Sequence, residues 1–255
     1  MGKLFLIGAG PGDPELITVK GLNHLKQAQV VLYDALVAPE LVMKAPENAL
    51  KIYVGKRAGK HSYTQDKINE LILKLSSNHE KIVRLKGGDP LIFGRGHEEM
   101  EFALTHGIEV EIIPGISSSI AGPVSEDIPL TKRGISDSFW VLAGTTSNEA
   151  FSKDISHAAA SSATVVILMG IKKLKPLVDV FLKYRNPDEP ICLIENCTTS
   201  SQKMVIGRLS DIVRVNAMDP VQPPALIVIG PVVHERKKIQ MLKENIAGMQ
   251  HSCVA

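Results

Sequence analysis

The sequence predicts an α/β fold built as two α/β domains, and three observations carry that prediction. Short apolar runs closed by glycine recur along the 255 residues, among them KLFLIG, KIVRLKG, TVVILMG and ALIVIG. Most are continuously apolar rather than alternating, which is the pattern of strands buried on both faces of largely parallel or mixed sheets. Helical patterns separate several of them, and such alternation marks an α/β architecture. The third observation is PGISSSIAGPVSED, residues 114–127, where Gly, Ser and Pro interrupt the alternation. About five strand candidates lie on either side of that break. We expect an N-terminal domain over 1–116, a C-terminal domain over 117–246 and a disordered tail over 247–255. A cleft between the halves would hold the active site.

In chain order the strand candidates are KLFLIG, VVLYD, KIYVG, KIVRLKG, EVEIIPG, SFWVLAG, TVVILMG, PICLIEN and ALIVIG. The clearest helix runs from Thr64 to Leu75, with Ile68, Leu71, Ile72 and Leu75 on one face at i, i+3, i+4, i+7 spacing. Further helices are read over 15–27, 96–106, 148–160, 172–184 and 232–246.

Hydrophobic residues make up 44% of the chain, enough for a sizeable core. The formal net charge is +2, from 29 Lys+Arg against 27 Asp+Glu, and aromatic residues are 4%. Neither figure suits a nucleic-acid partner, which calls for a basic face or stacking platforms. Cys192, Cys197 and Cys253 are odd in number and form no CxxC, as expected of reduced thiols in a cytoplasmic protein. The apolar stretch after Lys3 is too short for a signal core, and no run reaches the ~18 apolar residues of a membrane span. No metal site is expected, since His97-Glu98-Glu99 lacks the second histidine of HExxH.

Two glycine-rich loops stand out. Gly8-Ala9-Gly10-Pro11-Gly12-Asp13 imitates the dinucleotide fingerprint GxGxxG. Asp13 occupies the third glycine's place, however, and Pro11 removes an N–H that a pyrophosphate would use. No Walker A loop occurs. The second loop lies in VRLKGGDPLIFGRG, residues 83–96. Asp13-Pro14 and Asp89-Pro90 both read as helix starts, with Asp as N-cap and Pro at the first helical position. Asp89 has a competing reading. Gly87 and Gly88 bare the backbone at the carboxyl end of a strand, where ligands of open α/β sheets sit. A carboxylate there can accept hydrogen bonds from a ligand's hydroxyls or amine.

GAGPGDPELITVKG, VGKRAGKHSYTQDKINELI, VRLKGGDPLIFGRGHEE, PGISSS, IPLTKRG, LMG and PALIVIG occur in this order. Together they resemble the uroporphyrinogen-III C-methyltransferases of the tetrapyrrole methylase family, along nearly the whole chain. The resemblance implies two α/β domains, a homodimer, and S-adenosyl-L-methionine as methyl donor, leaving as S-adenosyl-L-homocysteine. Two methyl transfers to uroporphyrinogen III would give precorrin-2, for sirohaem or cobalamin synthesis. It implies that Pro11, Gly87, Gly88, Asp89, Ile92, Ser117, Ser118 and Met169 contact the donor, together with the loop at Cys197 and with Ala225. It assigns Asp34 and Lys56 as proton acceptor and donor, and turns Arg95, Glu98 and Arg133 toward the tetrapyrrole.

The chemistry agrees with these assignments. An in-line displacement on a sulfonium needs alignment and exclusion of water rather than a metal. A polycarboxylate macrocycle calls for arginine forks. Asp34 and Lys56 have a bland alternative as an ion pair ordering two loops, so Arg95 and Glu98 are expected to matter more to turnover. Lys60 and Lys132 read as solvated surface charges. The second half departs from the family pattern. Cys197 stands where ENGT has glycine, which is harmless unless the position needs positive φ. Lys132 replaces the usual histidine of PLTHR. The alternatives are a methyltransferase acting on a later precorrin or on diphthine, and a non-catalytic cofactor-binding module.

Overall fold

Each of the nine apolar runs becomes a strand, and a tenth, KMVIGR, joins them. A computed structural model describes residues 1–55, 63–145 and 150–252, the last five as helix backbone. The chain divides into two compact units, Met1–Ser118 and Ser119–Ala255.

The first unit runs β1 (Lys3–Gly8), a 3₁₀ turn (Pro14–Leu16), α1 (Val19–Leu25), β2 (Val30–Tyr33), α2 (Pro39–Val42), β3 (Leu50–Tyr53), α3 (Gln65–Ser76), β4 (Lys81–Lys86), α4 (Gly96–Thr105) and β5 (Glu109–Ile113). Its strands lie in the order β3-β2-β4-β1-β5, every pair parallel. Alternate residues face opposite helix layers, as strand geometry requires. Leu4, Leu6 and Ile82 pack with Ile68, Ile72 and Leu75 of α3 and Ala103 of α4. Phe5, Ile7, Val83 and Leu85 pack with Leu25 of α1 and with Leu41 and Val42 of α2. Each such side chain, once buried, contributes about 1.5–3 kcal/mol. The α3 helix starts where its sequence says, with Thr64 Oγ1 accepting the Lys67 N–H at 3.3 Å.

The second unit runs α5 (Ser118–Ser125, starting at the boundary), β6 (Phe139–Ala143), α6 (Ile155–Ala160), β7 (Thr164–Leu168), α7 (Leu174–Phe181), β8 (Pro190–Glu195), β9 (Lys203–Arg208), α8 (Ile212–Met218), β10 (Ala225–Ile229) and α9 (Glu235–Ser252). The strand order is β6-β7-β10-β8-β9, and only β6–β7 is parallel. The second sheet is thus mixed and mainly antiparallel. Continuous apolar composition does not separate the two cases here. Both faces are covered, one by α6, α7 and α8 and the other by Ile128, Val232 and Val233.

Several helices differ from their sequence reading. Residues 15–27 split into a 3₁₀ turn and α1, because Thr18 caps a fresh start by accepting the Gly21 N–H at 3.1 Å. Residues 118–125, read as a break, form α5 despite Gly122 and Pro123. There Gly122 lets the helix approach the sheet: a Cβ would lie 2.5 Å from Leu226 Cδ2. Tertiary packing overrides a weak propensity. The C-terminal helix continues to Ser252, past the expected end at Ile246. No proline intervenes, and Gly248 costs only about 1 kcal/mol. Cys253 lies outside the described residues.

Arg185 locks one corner of the second unit. Its side chain is buried and donates to the carbonyls of Ala158 (3.0 Å), Ala159 (3.0 Å), Ser161 (2.9 Å) and Ala163 (2.9 Å), and to Glu189 Oε1 at 2.6 Å. It closes the C-terminal end of α6, whose last carbonyls have no partner within the helix. Arg185→Met should destabilise the chain by about 3 kcal/mol, because it strands a half-buried carboxylate and several carbonyls. Denaturant titration measures this, and an unchanged midpoint would refute it.

On β5, Glu111 accepts from Lys20 at 2.7 Å and from Lys3 at 3.1 Å. Those hydrogen bonds, Lys20 first, hold its carboxyl at about 2. The folded value is below the unfolded one, so this contribution is present above the ordinary carboxylate range and is lost as pH falls toward 2. The site is solvent-screened, so the effect is small. Glu111→Gln should narrow the difference between thermal midpoints at pH 7 and pH 3; an equal difference in both proteins would count against the assignment.

Candidate active site

Because the first sheet is wholly parallel, the carboxyl ends of its strands share one edge, the ligand edge of open α/β sheets. Three glycines bring loops together there. A Cβ on Gly8 would lie 2.4 Å from Gly115 Cα and 2.7 Å from Gly88 O, and a Cβ on Gly115 would lie 2.3 Å from Gly88 O. Gly88 N donates to Gly10 O at 2.7 Å, and Gly10 N returns a bond to Gly88 O at 3.3 Å. The twin glycines of KGGDP have different reasons. Gly87 makes room for Leu36, whose Cβ would lie 2.8 Å from an added one. Gly88 has φ +69°, and a Cβ there would meet nothing nearer than Ser117 Cα at 4.0 Å. Gly88 therefore supplies a left-handed turn with open space beside it.

Asp89 does not start a helix, since α4 begins only at Gly96. Its Oδ1 accepts the Leu91 N–H at 2.8 Å and its Oδ2 the Gly115 N–H at 3.0 Å. The carboxylate thus ties the loop to the end of β5. A carboxylate offers about four acceptor positions, so capacity for a ligand remains. Asp13 caps only the 3₁₀ turn, accepting the Glu15 N–H at 2.8 Å. Pro11 is half-buried, Ser117 is buried, Ser118 opens α5, and Ile92 is exposed beside Leu91 and Phe93.

The loop ends under constraint. Phe93 (φ 53°) and Arg95 (φ 58°) are both left-handed, at a cost of about 1–3 kcal/mol each. Packing imposes it: a Cβ on Gly94 or Gly96 would lie 2.7 or 2.4 Å from Pro90 O. Arg95 Nε and Nη2 donate to Glu98 Oε1 and Oε2 at 2.8 and 2.6 Å. This fork holds the Glu98 carboxyl below its usual range and raises the guanidinium of Arg95. Both side chains stay about half exposed.

Beneath them lies a cavity of about 230 Å³, lined by Asp34, Tyr63, Gln65, Arg84, Lys86 and Arg95 among others. Arg84 and Lys86 sit two residues apart on β4 and so face the same side, toward α4. Arg84 Nη2 donates to Asp34 Oδ1 at 2.6 Å and its Nε to Glu99 Oε1 at 3.2 Å. Lys86 Nζ donates to the same Glu99 oxygen at 3.1 Å and stands 3.9 Å from Asp34 Oδ2. Gln65 adds a third bond to Glu99 Oε1 at 3.1 Å. Burial pushes the Lys86 ammonium down from its ordinary value, and the Arg84 charge adds to this.

Asp34 and Arg95 therefore meet at one cavity. The described partners of Asp34 are Arg84 and Lys86; Lys56 lies outside the described residues, as does Lys60. Sequence reasoning missed Arg84, Lys86 and Glu99. The available signal was a pair of cations inside KIVRLKG, because charges within a buried strand need partners.

The second unit gathers its own group at one end of its sheet. Leu226 of β10 pairs with Leu168 of β7, and Ala225 pairs with Glu195 of β8, so Met169, Ala225 and the 195–197 turn share that end. Met169 is left-handed (φ 56°) and exposed, and its carbonyl accepts Thr145 Oγ1 at 3.1 Å. Around Cys197 the left-handed residues are Asn196 (φ 46°) and Thr198 (φ 65°), not the cysteine itself. Cysteine is thus unstrained at that position, and burial pushes its thiol up to about 11. Arg133 is exposed on the turn 132–136, while Lys132 pairs with Glu235 of α9 rather than standing free.

A family model for tetrapyrrole (corrin/porphyrin) methylases matches residues 3–213. A uroporphyrinogen-III C-methyltransferase of Methanocaldococcus jannaschii is 44% identical over 235 residues, covering 91% of this chain and 97% of that protein. A siroheme synthase of Hydrogenovibrio crunogenus is 39% identical over 240 residues; these are 94% of this chain but 51% of the synthase. The crystal structure of a uroporphyrin-III C-methyl transferase from Thermus thermophilus, complexed with S-adenosyl homocysteine, matches with a TM-score of 0.79. Its identity is 38%, over 91% of this chain and 99% of that one. With likeness of sequence and of fold running along most of both molecules, the chain belongs to the tetrapyrrole methylase family.

Proposed function

We propose that this chain is an S-adenosyl-L-methionine-dependent C-methyltransferase that converts uroporphyrinogen III to precorrin-2 by two successive methylations. The observation that carries the reading is the meeting of Asp34 and Arg95 at one cavity, on the same sheet edge as the Gly88 loop. The donor supplies an electrophilic methyl group. The residues present fit it: Gly88 leaves room beside a left-handed backbone, and Asp89 keeps acceptor capacity for an amine or hydroxyl. We assign donor binding to Pro11, Gly87, Gly88, Asp89, Ile92, Ser117 and Ser118 of the first unit, and to Met169, Cys197 and Ala225 of the second. Gly87 acts there through Leu36, as a shaping residue.

Arg95 and Arg133 hold carboxylates of the macrocycle, and Glu98 keeps the Arg95 fork oriented. Arg95 Nη1 has no bond among the described residues, which leaves it for substrate. Asp34 takes up the proton released once a pyrrole carbon has gained its methyl group, and Lys56 is the proposed proton donor. The product suits sirohaem or cobalamin synthesis. A homodimer in the cytoplasm belongs to the same proposal, and light scattering on the purified chain tests the dimer. No helix among the described residues is long and apolar enough to cross a membrane.

The deciding experiment incubates the chain with uroporphyrinogen III and isotope-labelled S-adenosyl-L-methionine. A tetrapyrrole heavier by two labelled methyl groups is expected; transfer only to a later precorrin, or none, would defeat the proposal. Arg95→Ala should lower kcat/KM for the tetrapyrrole roughly 10- to 100-fold, the worth of one charged hydrogen-bonding group, with donor-product affinity unchanged. Gly88→Ala should cost about 1–2 kcal/mol of stability through its left-handed φ. Its donor-product affinity, read by calorimetry, should fall at least tenfold; wild-type affinity would exclude Gly88 from the donor site.

A further inference from the structure

We propose that Arg84 and Glu99 are positioning residues for Asp34, holding it so that Oδ2 alone works into the cavity. The inference rests on the reading of Asp34 as proton acceptor and extends it to two buried residues. The Arg84 guanidinium is fixed at four points: Asp34 Oδ1 at 2.6 Å, Glu99 Oε1 at 3.2 Å, and the carbonyls of Leu85 at 3.2 Å and Leu32 at 3.5 Å. A planar fork held on both edges cannot turn, so neither can the carboxylate bound to it. Oδ1 is consumed by that bond. Among the described residues, Oδ2 has only the distant Lys86 ammonium at 3.9 Å. It is the oxygen left to accept a proton, and Asp34 remains about a quarter exposed at the cavity.

Glu99 shows that stability is not the reason for the arrangement. It is fully buried, and its Oε1 accepts from Arg84, Lys86 and Gln65. Its Oε2 has no hydrogen-bond partner among the described residues. An orphaned buried carboxylate oxygen is costly, and buried ion pairs are commonly replaceable by apolar residues with no loss of stability. A core selected for stability alone would drop the group of Arg84, Lys86 and Glu99 together. Its retention at the wall of the cavity is explained if the fork must hold Asp34 still.

The test compares Asp34→Asn, Arg84→Lys and the double variant Arg84→Met/Glu99→Met, with thermal melting, S-adenosyl-L-homocysteine affinity and steady-state methylation of uroporphyrinogen III. The double variant leaves the buried Lys86 ammonium with Asp34 alone, so it should melt below the unaltered chain yet bind the donor product normally. Its kcat should fall about 100-fold, the scale of an ångström of misplacement, with KM unchanged for both substrates. Arg84→Lys keeps the charge but not the fork, and decides the matter if the double variant does not fold: its kcat should fall at least tenfold at unchanged KM. Full turnover in either variant, while Asp34→Asn is impaired, overturns the positioning role and leaves Asp34 as base. Full turnover in Asp34→Asn removes the proton-acceptor reading, and the inference with it.

Discussion

The first unit is organised around a charge-neutrality constraint on its central strand. Arg84 and Lys86 are carried into the interior by a strand that is otherwise apolar, and an unpaired buried cation costs several kcal/mol. Two carboxylates must come to them. One, Asp34, is delivered by the end of the neighbouring β2, and the other, Glu99, by the first turn of α4. An acidic first turn also suits the positive end of a helix dipole. The loop from Gly87 to Arg95 thus has both ends fixed, by the strand that presents the cations and by the helix that returns an anion.

Within those ends the loop has little choice of path. Gly94 and Gly96 lie against Pro90 O, which forces Phe93 and Arg95 into left-handed backbone. The outcome is an arginine that leaves the chain at the head of α4 and meets Glu98 three residues on. Such strain persists because the surrounding packing supports it. In the second unit, the left-handed residues Met169, Asn196 and Thr198 mark the sheet end where Ala225 also lies.

Much of this could be read from residues in a row. Continuous apolar runs gave strand positions, and the four aliphatic residues of α3 gave that helix to within a residue at each end. Strand direction was not legible, because runs covered on both faces look alike whether parallel or antiparallel. Nor was α5, whose Gly122 is explained only by Leu226 about a hundred residues later. The loops at Gly8 and at Gly87-Gly88 stood out through their glycines, yet Gly87 and Gly88 differ for reasons of space that no local pattern encodes. The buried quartet was missed because its members come from β2, β4 and α4. Only the cations inside KIVRLKG hinted at it.

The contact among Gly8, Gly88 and Gly115 carries a consequence for how such a protein can change. Gly8 and Gly115 tolerate only hydrogen because each already lies against the other and against Gly88 O, while Gly88 is held to glycine by its left-handed φ. A larger residue at Gly8 or Gly115 would push against the backbone of both companions at once, and no change of side chain at a single partner could relieve it. The three loops are therefore inherited as a set. Grafting any one of them onto another scaffold would succeed only if its two companions travelled with it.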